Sequence, residues 1–171
     1  GDNVTITNGK FMTKGADYGL FLIEATNVVI DGITSNAGIN IQDASANVTI
    51  KNCDITGDDY YAIFVAGVQN VVIESGSYIA KEGKKSLYVY FNTDTVTVTG
   101  GTWSTDVTAY LAGGLEIVEN ADGTFGVQEK AAESGFLTLK AQTNKAGSQL
   151  RFITTIDNLK YKEVGFVITN A

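Results

Sequence analysis

The sequence predicts an all-β fold: a parallel β-helix solenoid of about five coils with a C-terminal cap, followed by a partial antiparallel β meander. Three observations predict it. First, short strings recur almost unchanged: Asn3-Val4-Thr5-Ile6, Asn27-Val28-Val29-Ile30, Asn47-Val48-Thr49-Ile50, Asn70-Val71-Val72-Ile73 and Thr95-Val96-Thr97-Val98, with starts 24, 20, 23 and 25 residues apart. A period in that range marks a solenoid whose units stack one on the next. Second, the strings are rich in Val, Ile and Thr and alternate with period two, which favours strands over the helices of a helical solenoid. Third, like strings lie over like strings only when all run the same way, so the pairing is parallel.

Each repeat aligns as three short segments. In the first, alternation puts Val4 and Ile6, Val28 and Ile30, Val48 and Ile50, Val71 and Ile73, and Val96 and Val98 on one face. The second follows a small residue and ends in an apolar one: Gly9-Lys10-Phe11, Cys53-Asp54-Ile55, Gly76-Ser77-Tyr78 and Gly101-Thr102-Trp103. Coil two has Ile33-Thr34-Ser35 there; it is the shortest coil and lacks the large residue, so the stack is thinnest at that point. The third segment reads Gly19-Leu20-Phe21-Leu22, Gly38-Ile39-Asn40-Ile41, Ala62-Ile63-Phe64-Val65 and Ser86-Leu87-Tyr88-Val89. At about 4.8 Å per coil, five coils rise roughly 20–24 Å. Asn3, Asn27, Asn47 and Asn70 precede the first strand and predict a coil-to-coil amide ladder at a corner. Asn3-Val4-Thr5 and Asn47-Val48-Thr49 match the glycosylation pattern, but the repeat accounts for both.

A solenoid exposes strand edges and core at its ends, so a cap is needed. Residues 104–114 read as a short helix or turn closed by Gly113-Gly114. Leu115–Glu119 and Thr124–Gln128 flank Asn120-Ala121-Asp122-Gly123, a hairpin with an Asp-Gly turn. The first domain therefore spans 1–130, with its cap from about 104. In 131–171 the period is lost. Phe136–Thr143, Gln149–Ile156 and Tyr161–Thr169 read as three antiparallel strands with too small a core to stand alone, expected to lean on the solenoid or on another copy of the chain.

Gly100-Gly101-Thr102-Trp103-Ser104-Thr105-Asp106, Tyr110-Leu111-Ala112-Gly113-Gly114 and Glu119-Asn120-Ala121-Asp122-Gly123-Thr124 together resemble the end of right-handed β-helix regions in surface proteins of gut Firmicutes. Proline is usual in that family where this chain has Val107. The repeats are similar to the pectate-lyase-like superfamily, which includes polysaccharide lyases, glycosidases and adhesins. Leu150–Asp157 with Tyr161–Phe166 resembles the first part of a β module found beside such helices. The resemblance implies a right-handed coil and an extracellular or wall-attached bacterial location. The chain starts inside a repeat, at Gly1-Asp2-Asn3, which reads as an excised segment of a longer protein.

Composition narrows the function. Apolar residues make up 44% of 171, enough for a real core. A formal charge of −7 disfavours nucleic acid and anionic membranes. No stretch is apolar enough to insert as a helix. Histidine is absent, removing the commonest catalytic base and metal ligand. The single cysteine, Cys53, sits where other coils have glycine and reads as a small packed residue.

Several surface columns remain. In the third segment, Phe21, Asn40, Phe64 and Tyr88 form one outward column, and Ile23, Gln42, Ala66 and Tyr90 the next. Stacked exposed aromatics are unusual on a solvated face. Either residues 135–171 or a second chain cover them, or they form a platform for sugar rings; the candidate binding residues are Phe21, Asn40, Phe64, Tyr88 and Tyr90. Thr7, Asp31, Lys51, Glu74 and Thr99 form a charged ladder on the first segment. Thr5, Thr49 and Thr97 could suggest a flat ice-binding face, but Val29 and Val72 interrupt it. Asp54, Asp58 and Asp59 cluster at one corner, with Lys51 the one basic residue expected nearby from the same coil and the only arginine, Arg151, outside the solenoid. Calcium needs six to eight oxygen ligands and a glycosidase two carboxylates about 5–10 Å apart, so the set reads as a solvated turn in preference to either, with metal binding there left open. No catalytic residue, metal or cofactor is expected. The reading is a non-enzymatic surface region acting in adhesion or glycan binding, with a glycan, a surface protein or a second copy as partner; the alternative is a fragment of a polysaccharide lyase or glycosidase.

Overall fold

A computed structural model describes residues 1–15, 18–131, 138–143 and 150–155, the last two stretches by backbone alone. The chain divides into two compact units, Gly1–Lys130 and Ala131–Ala171.

The first unit is a parallel β-solenoid. Coil one contributes β1 (Asp2–Thr7), β2 (Lys10–Phe11) and β3 (Tyr18–Ile23). Coil two contributes β4 (Thr26–Asp31), β5 (Thr34–Ser35) and β6 (Gly38–Gln42). Coil three has β7 (Ala46–Lys51), β8 (Cys53–Gly57) and β9 (Ile63–Ala66), and coil four β10 (Gln69–Ile73), β11 (Gly76–Ala80) and β12 (Leu87–Tyr90). Coil five opens with β13 (Val96–Val98) and β14 (Thr102–Trp103) and then turns into the cap, so there are about four full turns rather than five. Each strand pairs in parallel with its copy in the next coil, in the register the repeated strings demand: Val4, Val28, Val48, Val71 and Val96 stand in one column.

Inward residues of the three sheets fill one continuous core. Val28, Ile30, Val48, Ile50, Val71 and Ile73 are buried, with Ile39, Ile41, Ile63, Val65, Leu87 and Val89 facing them from the third sheet. On the edge strand β1, Val4 is 37% exposed. The asparagine ladder is present. Asn27, Asn47 and Asn70 each donate an amide hydrogen to the Asn one coil before, at 3.1, 3.0 and 2.8 Å. All four ladder residues have φ between 53° and 57°, a left-handed corner that Asn tolerates better than other side chains. Asn8, Gly32 and Asn52 repeat that conformation at the next corner.

Cys53 is a packed core residue, as its repeat position predicts. It pairs with Gly76, where an added Cβ would stand 2.3 Å from the Cys53 carbonyl oxygen. Tyr78 and Trp103 replace smaller residues in the last coils and stack at 4.4 Å, both fully buried. Their polar atoms are satisfied: the Tyr78 hydroxyl donates to the Ser75 carbonyl (2.7 Å) and Trp103 Nε1 to the Gly100 carbonyl (3.2 Å).

The cap opens with the expected short helix or turn. Residues 104–114 hold only a 3-10 turn, Thr108–Tyr110, fixed by Asp106 accepting from the Thr108 amide (2.7 Å) and hydroxyl (2.6 Å). The segment is bound instead to strand edges, which a longer helix could not follow: Ala112 N–H donates to the Val98 carbonyl, and Thr105 bonds Ser86. The hairpin is as expected, β15 (Leu115–Glu119) against β16 (Phe125–Glu129). β16 adds antiparallel to β14 and so closes the edge of the second sheet. In the second unit, β17 (Thr138–Thr143) pairs antiparallel with β18 (Leu150–Thr155). The expected third strand, Tyr161–Thr169, lies outside the described residues.

Two tests follow from this core and its corners. Asn47→Ala loses ladder bonds and forces Ala into positive φ, for a loss of about 1–2 kcal/mol in urea unfolding. Asn47→Gly keeps the backbone free and costs less; equal losses would remove the corner argument. Burial raises the Cys53 thiol and, still more, the Tyr78 phenol above their ordinary values. The fold therefore holds both groups neutral while the unfolded chain ionises them from about pH 8.5 and 10. Stability is full below about pH 8 and falls as pH rises beyond, because the native state then binds the extra protons. An unfolding midpoint unchanged between about pH 8 and 10.5 would contradict this.

Candidate functional site

The third sheet, ordered β12-β9-β6-β3, carries the aromatic face. Its inward residues alternate with an outward row in which Phe21, Asn40, Phe64 and Tyr88 are register partners. Phe21 is 53% exposed and Tyr90, in the next row, 46%; Phe64 and Tyr88 are half-buried. Asn40 departs from expectation. It points outward between Ile39 and Ile41, yet it is only 6% exposed, because larger side chains on both sides rise above its short amide.

Three tyrosines not foreseen as part of this face complete it. Tyr61 stacks on Tyr88 (4.7 Å, 22° between planes) and near Phe64 (6.2 Å, 17°). Tyr60 abuts Tyr61 at 4.2 Å. Tyr18 lies 5.5 Å from Phe21, 6.0 Å from Phe64 and 5.9 Å from Tyr60. The six rings of Tyr18, Phe21, Tyr60, Tyr61, Phe64 and Tyr88 thus form one contiguous patch, held together by edge and offset contacts. Lys84 Nζ stands 4.7 Å from the Tyr60 ring centroid, and Lys85 Nζ 5.9 Å from that of Tyr88, adding cations at the rim. Partial burial, with Tyr60 and Tyr88 beside it, pushes the Tyr61 phenol above its ordinary value, so it is a neutral hydrogen-bonding group at physiological pH.

Backbone packing sets the tyrosine corner. A Cβ on Gly38 would lie 2.3 Å from the Tyr61 carbonyl oxygen, and one on Gly57 2.4 Å from it. Both glycines let the Tyr60-Tyr61 corner press against coil two. Tyr60 and Tyr61 sit where the chain leaves strand geometry, so period-two alternation gives them no predicted face. A doubled aromatic beside a predicted strand was the available signal.

The second sheet bears a cleft of about 220 Å³ on its outer side, lined among others by Lys10, Asn36, Asp54 and Asp58. Thr34 and Ser35 of the shortest coil also line it. Lys10, from another coil, lines the cleft with Asp54 and Asp58, while Lys81 pairs with the third member of the acidic corner. Lys10, Thr34 and Asp54 share one register row, whereas Lys51 ends a strand of the first sheet and pairs with Asp31 at 3.6 Å. Asp59 turns away to Lys81 (4.0 Å). Such exposed pairs contribute roughly 0–1 kcal/mol. Among the described residues, no group of three or more His, Cys, Asp or Glu side chains could hold a metal ion. On the first sheet, the row Thr5, Val29, Thr49, Val72, Thr97 is mixed in register, as the sequence reads.

No protein-family model, curated protein or solved structure matches the chain. Among the described residues, no helix is long and apolar enough to cross a membrane.

The seating of the tyrosine corner is open to test. Gly38→Ala places a methyl against backbone, not against a yielding side chain. It is expected to cost about 1–3 kcal/mol and to change the tyrosine signal in near-ultraviolet circular dichroism. An unchanged signal would mean that Tyr61 is not seated by this contact.

Proposed function

We propose that the chain is a glycan-binding region of a bacterial surface protein, extracellular or wall-attached, built on a solenoid of the pectate-lyase-like type found in gut Firmicutes. The contiguous six-ring patch on the outer face of the third sheet carries the reading. The faces of pyranose rings are apolar C–H surfaces, and flat aromatic side chains bury them without the conformational cost of flexible ones. Because the patch repeats along the coil axis, it suits a chain of sugars better than a single small molecule. The role is adhesion or display, with no chemistry performed.

A second reading, a fragment of a polysaccharide lyase or glycosidase, draws on the cleft that gathers Lys10, Asp54 and Asp58. It needs an acid–base pair of carboxylates or a carboxylate with a basic partner.

One set of variants separates the two. On an array of bacterial and plant polysaccharides, Tyr61→Ala, Phe64→Ala and Tyr88→Ala should each weaken retention about fivefold, the worth of about 1 kcal/mol per ring. Asp58→Ala should leave retention unchanged. Release of unsaturated sugars from pectin that Asp58→Ala abolishes would establish the enzyme instead.

A further inference from the structure

Within the aromatic row, one residue has no packing reason to be polar. Asn40 stands between Phe21 and Phe64 in register, 6% exposed, and among the described residues no donor reaches its Oδ1. The other buried polar residues are satisfied: Ser35 donates to the Ala37 carbonyl, Ser45 to that of Gln42, and Ser86 bonds Thr105. The corner asparagines pair coil to coil, but the coil neighbours of Asn40 are phenylalanines and offer it nothing. A buried amide with an open acceptor is disfavoured against leucine of similar size.

Phe21 and Phe64 are two coils apart, roughly 10 Å. The Tyr18 ring lies within 6.0 Å of both the Phe21 and Phe64 rings that flank the amide in register. We infer that Asn40 is the polar anchor of a sugar subsite beneath the platform, reached when the Tyr18 ring turns aside. This rests on the glycan reading. A pyranose seated between Phe21 and Phe64 stacks its C–H face on the rings. Two neighbouring hydroxyls then meet the amide, one donating to Oδ1 and the other accepting from Nδ2. The ligand class is thus a glycan whose units keep a free vicinal diol.

The probes are soluble hexasaccharides of β-galactan, β-glucan and xylan, titrated by calorimetry into the intact chain, with the Asn40 side-chain amide followed by 15N NMR. The expected result has three parts: the amide resonances shift on binding, Asn40→Leu raises the thermal midpoint, and Asn40→Leu weakens binding at least tenfold. Binding that Tyr61→Ala weakens, but that leaves the amide unmoved at saturation and Asn40→Leu within twofold of the parent, overturns the anchor and spares the platform. Should Asn40→Leu not fold, the amide shift of the parent protein decides alone. If the parent binds none of the probes, the platform reading falls, and the anchor with it.

Discussion

A coil can lie on the one below only if every corner turns by the same angle, because a small error at one corner displaces each strand that follows. In this chain that constraint rests on side chains that accept a left-handed backbone. Asn3, Asn27, Asn47 and Asn70 hold φ near 55° at one corner, and Asn8, Gly32 and Asn52 do so at the next. The first set also bond one another, so each corner is registered against its neighbour by an amide as well as by the strands on either side. The absence of proline belongs to the same constraint. An interior strand of a parallel stack pairs on both sides, and a residue without an N–H would open the ladder.

With the corners fixed, each outward position becomes a row, and the rows have separate fates. On the first sheet they carry Thr, Val and an exposed ion pair, which do little for stability. On the second, they line a cleft with residues of β2, β5 and β8. On the third, they carry rings. Coil two departs from its neighbours on both of the last two faces. It puts Ser35 where other coils place Phe11, Ile55 or Tyr78, and it puts Asn40 where they place Phe21, Phe64 or Tyr88. The core runs straight past this point, since Ile39 and Ile41 remain fully buried. What varies is outside it, so surface chemistry can change there without loss of the fold.

Strands and rows were legible because both follow from alternation. The register of Phe21, Asn40, Phe64 and Tyr88 could be read directly, and so could the asparagine ladder and the Asp122-Gly123 turn. Depth could not. Asn40 is buried because of the height of its neighbours, a property of the assembled surface and not of its own strand. Tyr18, Tyr60 and Tyr61 lie at a strand start or a corner, where period two does not apply. Lys51 looked close to the acidic corner because it is close in sequence, but stacking brings Lys10 there from two coils away. In the cap, Gly113-Gly114 marked a chain stop correctly, while residues 104–110 follow strand edges whose bonding needs no sequence pattern beyond Asp106 and Thr108.

An exposed aromatic patch invites a second copy of the chain as readily as it invites a ligand, and charge bears on the choice. Each copy carries a formal −7, so two copies meeting face to face repel over distances comparable to the solenoid itself at low salt. A neutral glycan feels none of that repulsion, and two cations at the patch, Lys84 and Lys85, already lie over Tyr60 and Tyr88. Hydroxyls are what the Asn40 acceptor lacks, and a polyhydroxylated ligand offers more of them than the tyrosine rings of a second copy. Electrostatics and hydrogen bonding therefore both favour a hydroxylated partner over self-association at this face.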